Sequence, residues 1–190
     1  MAKQTASILG GLDYQHLYSW FHVIELMKPR MQVTRVRVED DDAVSADDVT
    51  VRHADGSGVP DRFYQIKYHM TQAGHYSTDY LIEREGNRSS LLQKLFRSWR
   101  ALRAAEPTRS FEIQLISNWG WDTSDKLKPC IGGPANALIE DFFAATERMD
   151  VGALRKKWRD ELGAPNDEFE AFMRTLRFKL GFECWDEMML

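Results

Sequence analysis

The sequence predicts an α/β fold in the order helix, three strands, helix, strand, followed by a C-terminal helical extension. Two observations carry this. Long stretches repeat apolar residues at helical spacing, and shorter ones alternate with a period of two. A sheet of that kind needs helices on both faces to bury it. With 190 residues, 43% of them hydrophobic and 12% aromatic, the chain can build one real core. No internal repeat or low-complexity tract competes with a single domain spanning residues 1–190, with a core over 9–118 and helices over 134–180.

The first helix is expected over residues 14–28, where Tyr14, Leu17, Phe21 and Ile24 recur at helical spacing. Gly10-Gly11 reads as a flexible lead-in, Asp13 as the N-cap and Pro29 as the stop. Strands follow at residues 32–39, 48–53 and 62–68. In the first of them Val36 and Val38 share a face while Val33 is out of phase. The Gly-rich segment 54–60 joins the second and third strands as an antiparallel hairpin. Residues 71–86 read as a polar loop with a short turn of structure. A second long helix runs over 89–105 on a stripe of Leu91, Leu92, Leu95, Phe96, Trp99 and Leu102, and Pro107 ends it. Phe111–Ser117 is the clearest buried strand. Beyond Pro134 the pattern reads as wholly helical, with helices near 135–148, 151–161 and 167–179. The closing GFECWDEMML, without linker or clean cap, suits a module of a longer protein.

The formal charge of −4 counts against a protein that coats nucleic acid non-specifically, yet its distribution is uneven. Acidic residues crowd positions 39–48, and Arg84 to Arg109 form a basic stretch. Cys130 and Cys184 stand far apart, so neither a zinc knuckle nor a disulfide framework is implied. The five histidines fit no metal-binding motif. No apolar run is long enough to span a bilayer and no secretory signal opens the chain, so a cytoplasmic protein without membrane contact is expected.

One constellation carries chemistry. Gln65 and Lys67 lie two apart on one strand, so their side chains leave the sheet on the same face. If that strand pairs with its predecessor through the 54–60 turn, Asp48 sits beside Gln65. A carboxylate and an amide oxygen suit Mg²⁺, with Mn²⁺ as a substitute, and an adjacent lysine can orient water and stabilise developing negative charge. Asp48 is the preferred metal ligand and Asp47 the reserve, while Glu39 can orient a water or hold a second ion. On spacing alone, a solvent-facing strand pair is the commoner origin of such a pattern. The Asp40-Asp41-Asp42 cluster reads as a solvated acidic loop, since EF-hand spacing is absent.

Gly11-Leu12-Asp13-Tyr14-Gln15, the strand-ending Glu39, Asp47-Asp48-Val49 and Phe63-Tyr64-Gln65-Ile66-Lys67 resemble the N-terminal double-stranded-DNA endonuclease domain of bacterial antiphage effectors activated by cyclic oligonucleotides. That domain belongs to the PD-(D/E)xK superfamily, whose restriction-endonuclease-like core has the element order read above. The resemblance implies that Asp48 is the metal-binding aspartate, Gln65 replaces the usual glutamate, Lys67 is the catalytic lysine, and Gln15 touches the active site or supports its sheet. It also implies a fused sensor or NTPase domain and activation by homo-oligomerisation. An amide in place of a carboxylate removes one formal charge from the ligand set, which Glu39 or Asp47 would offset.

Arg88, Arg97, Arg100 and Arg103 are candidate phosphate contacts, although for any one of them an ordinary solvent-facing role is the commoner. Trp119 and Trp121 either stack on bases or pin a loop to the core, the commoner role. The leading expectation is therefore a Mg²⁺-dependent endonuclease that cleaves duplex DNA with loose sequence specificity. Its rivals are a nuclease-like binding module without activity and a helical oligomerisation module.

Overall fold

The computed structural model describes residues 2–40, 46, 48–71, 73–133 and 135–182, with side chains from residue 9 onward. A mixed sheet forms its centre. Its strands are β1 (Val33–Val38), β2 (Val49–His53), β3 (Asp61–Lys67), β4 (Phe111–Ser117), β5 (Ile131–Gly132), β6 (Ala137–Leu138) and β7 (Leu176–Leu180). They lie in the order β1-β2-β3-β4-β7-β6-β5. β2 and β3 form the expected antiparallel hairpin and β1 extends it to a meander, whereas β3, β4 and β7 run parallel.

Helices cover both faces. On one side α1 (Ala2–Leu26) lays Tyr14 and Tyr18 over Val49, Val51, Tyr64 and Ile66. On the other, α2 (Thr78–Ile82), α3 (Leu91–Ala105), α4 (Glu140–Ala144), α5 (Asp150–Leu162) and α6 (Asn166–Thr175) enclose the larger core. That core joins Phe63, Ile113 and Leu115 from the sheet to Leu92, Phe96, Trp158 and Phe172 from the helices. Up to Ser117 the element order is the expected one with the short α2 added inside the predicted loop. Ser90 and Gln93 close a reciprocal capping box that starts α3.

Three expectations need correction. The first helix does not begin at Asp13 but runs through Gly10-Gly11, so Asp13 is not its N-cap. Gly10 lies where an added Cβ would come within 2.9 Å of the Tyr68 ring, so this glycine permits close helix–strand approach. Val33 returns to phase because the β1–β2 register shifts between Val33 and Arg35, a bulge that adds one residue to the strand. The segment after residue 134 is not wholly helical: β6 pairs there, and β7 occupies positions assigned to the last helix. Leu176 and Phe178 point into the core while Arg177 and Lys179 are only half-buried, a period-two pattern hidden behind the helical spacing of α6.

Candidate active site

The β2–β3 register sets the site. Val49 pairs with Tyr64 and Thr50 with Phe63, so the next position back on β2 carries Asp48 opposite Gln65. The geometry bears this out. The Asp48 carboxylate oxygen Oδ2 accepts a hydrogen bond from the Gln65 side-chain amide and another, of 2.5 Å, from the Ile66 backbone N–H. Gln65 is only 4% exposed, so its amide has little water to turn to and is held against the carboxylate.

The main chain of Asp48 is fixed as well. Its carbonyl accepts 3.1 Å bonds from the Glu39 backbone N–H and from the Gln15 side-chain amide of α1. Gln15 thus reaches the site by supporting the residue that carries the carboxylate. Glu39 takes part through its backbone, in the left-handed region with φ 53°, while its side chain is exposed. Asp47 lies outside the described residues. The neighbouring Asp40, expected in a solvated loop, is 3% exposed and bonded to Arg37 at 2.9 Å. Proximity to that guanidinium makes its burial tolerable.

Lys67 ends β3 opposite Ser117, at the edge where the parallel strands finish. It opens onto a cleft of about 320 Å³ that Tyr76, Tyr80, Glu83, Glu85, Arg88 and Lys94 also line. The structure therefore brings Arg88 to the same cleft as Lys67 and does not bring Arg97, Arg100 or Arg103 there. Those three project outward from α3, and Arg100 meets Glu168 at 3.0 Å. Lys94, not singled out from the sequence, lines the cleft instead. Its signal was its place in the basic stretch, just inside the capped start of α3.

The loops around this edge are tied down. The Asn118 amide accepts from the His69 N–H at 2.9 Å and donates to the His69 carbonyl at 2.7 Å, extending the β3–β4 pairing with a side chain. Trp119 stacks on the His69 ring at 3.6 Å and donates its indole N–H to the Thr71 carbonyl. Trp121 packs edge-on against Phe178. Both tryptophans have partners within the fold. Burial, with the Lys67 charge adding to it, pushes the His69 imidazole below its ordinary value. His69 is thus neutral near pH 7 and adds no second cation beside Lys67.

The donor chemistry fits a small hard cation in part. One carboxylate and one amide lie side by side at the end of adjacent strands, and the amide can present either its oxygen or its nitrogen by a half-turn. Among the described residues no three His, Cys, Asp or Glu side chains converge on a common point. Among the described residues, too, no helix is long and apolar enough to cross a membrane.

No family model matches the chain. It is 29% identical, over 180 residues, to CD-NTase-associated protein 4 of Enterobacter hormaechei subsp. hoffmannii (strain UCI 50). The alignment covers 88% of this chain but only 35% of that protein, so the chain spans little more than a third of its relative. The chain is thus a distant homologue of a CD-NTase-associated protein, with an α/β sheet architecture loosely consistent with a nuclease core.

Proposed function

We infer that this chain is a divalent-metal-dependent endonuclease module that cleaves duplex DNA, with a restriction-endonuclease-like core and a role in antiphage defence. The observation that carries the reading is the meeting of Asp48 and Gln65 across β2 and β3, with Lys67 two residues on along the same face. The similarity to a CD-NTase-associated protein supports the defence role; a fused sensor or NTPase domain and assembly on activation are part of the proposal.

Asp48 and Gln65 would hold Mg²⁺ or Mn²⁺ through oxygen atoms. A divalent cation, when bound, neutralises charge on the phosphoryl group and favours deprotonation of the attacking water. Around it, the chain's own residues have separable tasks. The Ile66 N–H keeps the Asp48 carboxylate turned toward β3. Gln15 and the Glu39 N–H fix the peptide that carries it. Lys67 would bring a positive charge to the place where negative charge builds on the phosphate, with Lys94 and Arg88, the latter 3.8 Å from Glu85, farther along the cleft.

Two measurements test the reading. Calorimetry should find Mn²⁺ binding to the wild type that weakens at least about tenfold, or about 1.4 kcal/mol, in Asp48→Ala. Plasmid incubated with the activated full-length protein and Mg²⁺ should be nicked or linearised, and Lys67→Ala should slow this by about 100-fold or more. Metal affinity indifferent to Asp48, or cleavage indifferent to Lys67, overturns the assignment. DNA binding without any cleavage would make this an inactive nuclease-like module.

A further inference from the structure

Helix α1 has two apolar sides, and the sheet covers one. Tyr14, Tyr18 and His22 are buried toward β2 and β3. On the opposite side Leu9 is 56%, Trp20 57%, Ile24 47% and Met27 81% exposed. These are not scattered. Leu9, Asp13, His16, Trp20, Val23 and Met27 succeed one another by alternate steps of four and three residues, and Ile24 flanks the last turn. That spacing averages 3.5 residues, the period of a seam against a second helix rather than of a solvated surface. Four of those six positions are apolar, and an apolar face that the sheet leaves uncovered is a place for a second partner.

The charges on this face limit what the partner can be. Asp13 near one end and Lys28 just beyond the other are both exposed. Glu25 is turned away, bonded to His22 at 2.7 Å. An antiparallel copy of the same helix, crossing near Trp20, sets Asp13 of each chain within a turn of Lys28 of the other and lays His16 over Ile24. A parallel copy would set Asp13 on Asp13 and Lys28 on Lys28, which repel. A self-complementary face of this kind generates a closed two-fold dimer. We propose that the outer seam of α1 pairs antiparallel with the same seam of a second copy of this chain, centred on Trp20. The pairing uses none of Asp48, Gln65 or Lys67, and Gln65 and Lys67 alternate with the Tyr64 and Ile66 side chains that α1 covers.

Sedimentation or light scattering of the 190-residue chain across micromolar concentrations should show a concentration-dependent dimer. Ile24→Lys places an unpaired charge in the seam, and the dimer dissociation constant should rise at least about tenfold. Asp13→Lys alone should weaken the dimer, and Asp13→Lys combined with Lys28→Asp should restore it. A chain that is monomeric at every concentration, or a dimer indifferent to Ile24→Lys, overturns the proposal. Should circular dichroism show Ile24→Lys unfolded, the charge pair decides. Both its positions are exposed, and failure of the double variant to recover the dimer then overturns it.

Discussion

At the scale of single residues, Gln65 is the departure that asks for an explanation. Its amide donates to the Asp48 carboxylate, so that carboxylate has a hydrogen-bond donor without any cation. Glutamate at this position would set two carboxylates against each other in a site only 4% exposed at residue 65. Repulsion and desolvation would then raise the pKa of one of them. Gln65→Glu should therefore destabilise the metal-free protein at pH 7 by about 1.5 kcal/mol, lowering Tm by roughly 3–6 °C. Mg²⁺ should recover that loss, and calorimetry should find divalent-cation affinity increased about tenfold. Unchanged or weaker affinity would mean that residue 65 does not face a cation. The pairing of residues 48 and 65 was legible because strand side chains alternate and a glycine-rich turn fixes the register. The bond from Gln15 to the Asp48 carbonyl was not legible in its detail, since it depends on how α1 lies across the sheet. Asp40 was misplaced because a run of acids reads as solvated, and only the fold shows Arg37 beside it.

At the scale of elements, the instructive case is the junction of α6 and β7. Phe169, Phe172 and Met173 keep helical spacing, and Leu176 continues it, so a helix reading runs on past residue 175. The alternation Leu176-Arg177-Phe178-Lys179-Leu180 fits a strand equally well, and five residues are too few for periodicity to decide. What decides is tertiary. β4 has an open parallel edge, and the hydrogen-bonding groups along it need a partner. β7 supplies one and places Phe178, 2% exposed, against the core. Phe178→Ala should therefore cost about 3–5 kcal/mol in denaturant unfolding, the loss expected for a buried aromatic in a central strand. A cost below about 1 kcal/mol would deny β7 its place in the sheet. The early elements were easier to read, because α3 has a clear apolar stripe and β4 alternates Phe111, Ile113 and Leu115 on one face.

At the scale of the whole molecule, the two ends of β3 have different tasks. One end carries Lys67 and the candidate site, and the other is clasped by a buried ionic cluster. Asp61, 1% exposed, accepts from the His53 N–H at 2.7 Å, from Arg52 at 2.9 Å and from Arg109 through both of its oxygens. This cluster joins β2, β3 and the segment leading into β4, so its titration reaches the whole sheet. Burial alone would raise the Asp61 pKa, but the bonds from Arg109, the His53 N–H and Arg52 outweigh it and hold the carboxyl below its usual value. A carboxylate depressed in the folded state contributes stability above its unfolded pKa, near 4, and loses it as pH falls below that. His53 shifts in the same direction for a different reason. Burial, then the charge of Arg62, lower its pKa against the opposing pull of Asp61 and Glu25. The folded state therefore favours the neutral ring, and the protein begins to lose stability as pH falls below about 6.5, the unfolded value. Thermal melts against pH should accordingly show a shallow decline starting near pH 6.5 and a steeper one below about pH 4. Asp61→Asn should remove the contribution of this carboxylate to the lower step and, by leaving Arg109 and Arg52 without their buried partner, cost about 3–5 kcal/mol at pH 7. A variant that keeps wild-type stability at neutral pH, or that melts with an unaltered acid limb, would show that this clasp does not hold the strands together.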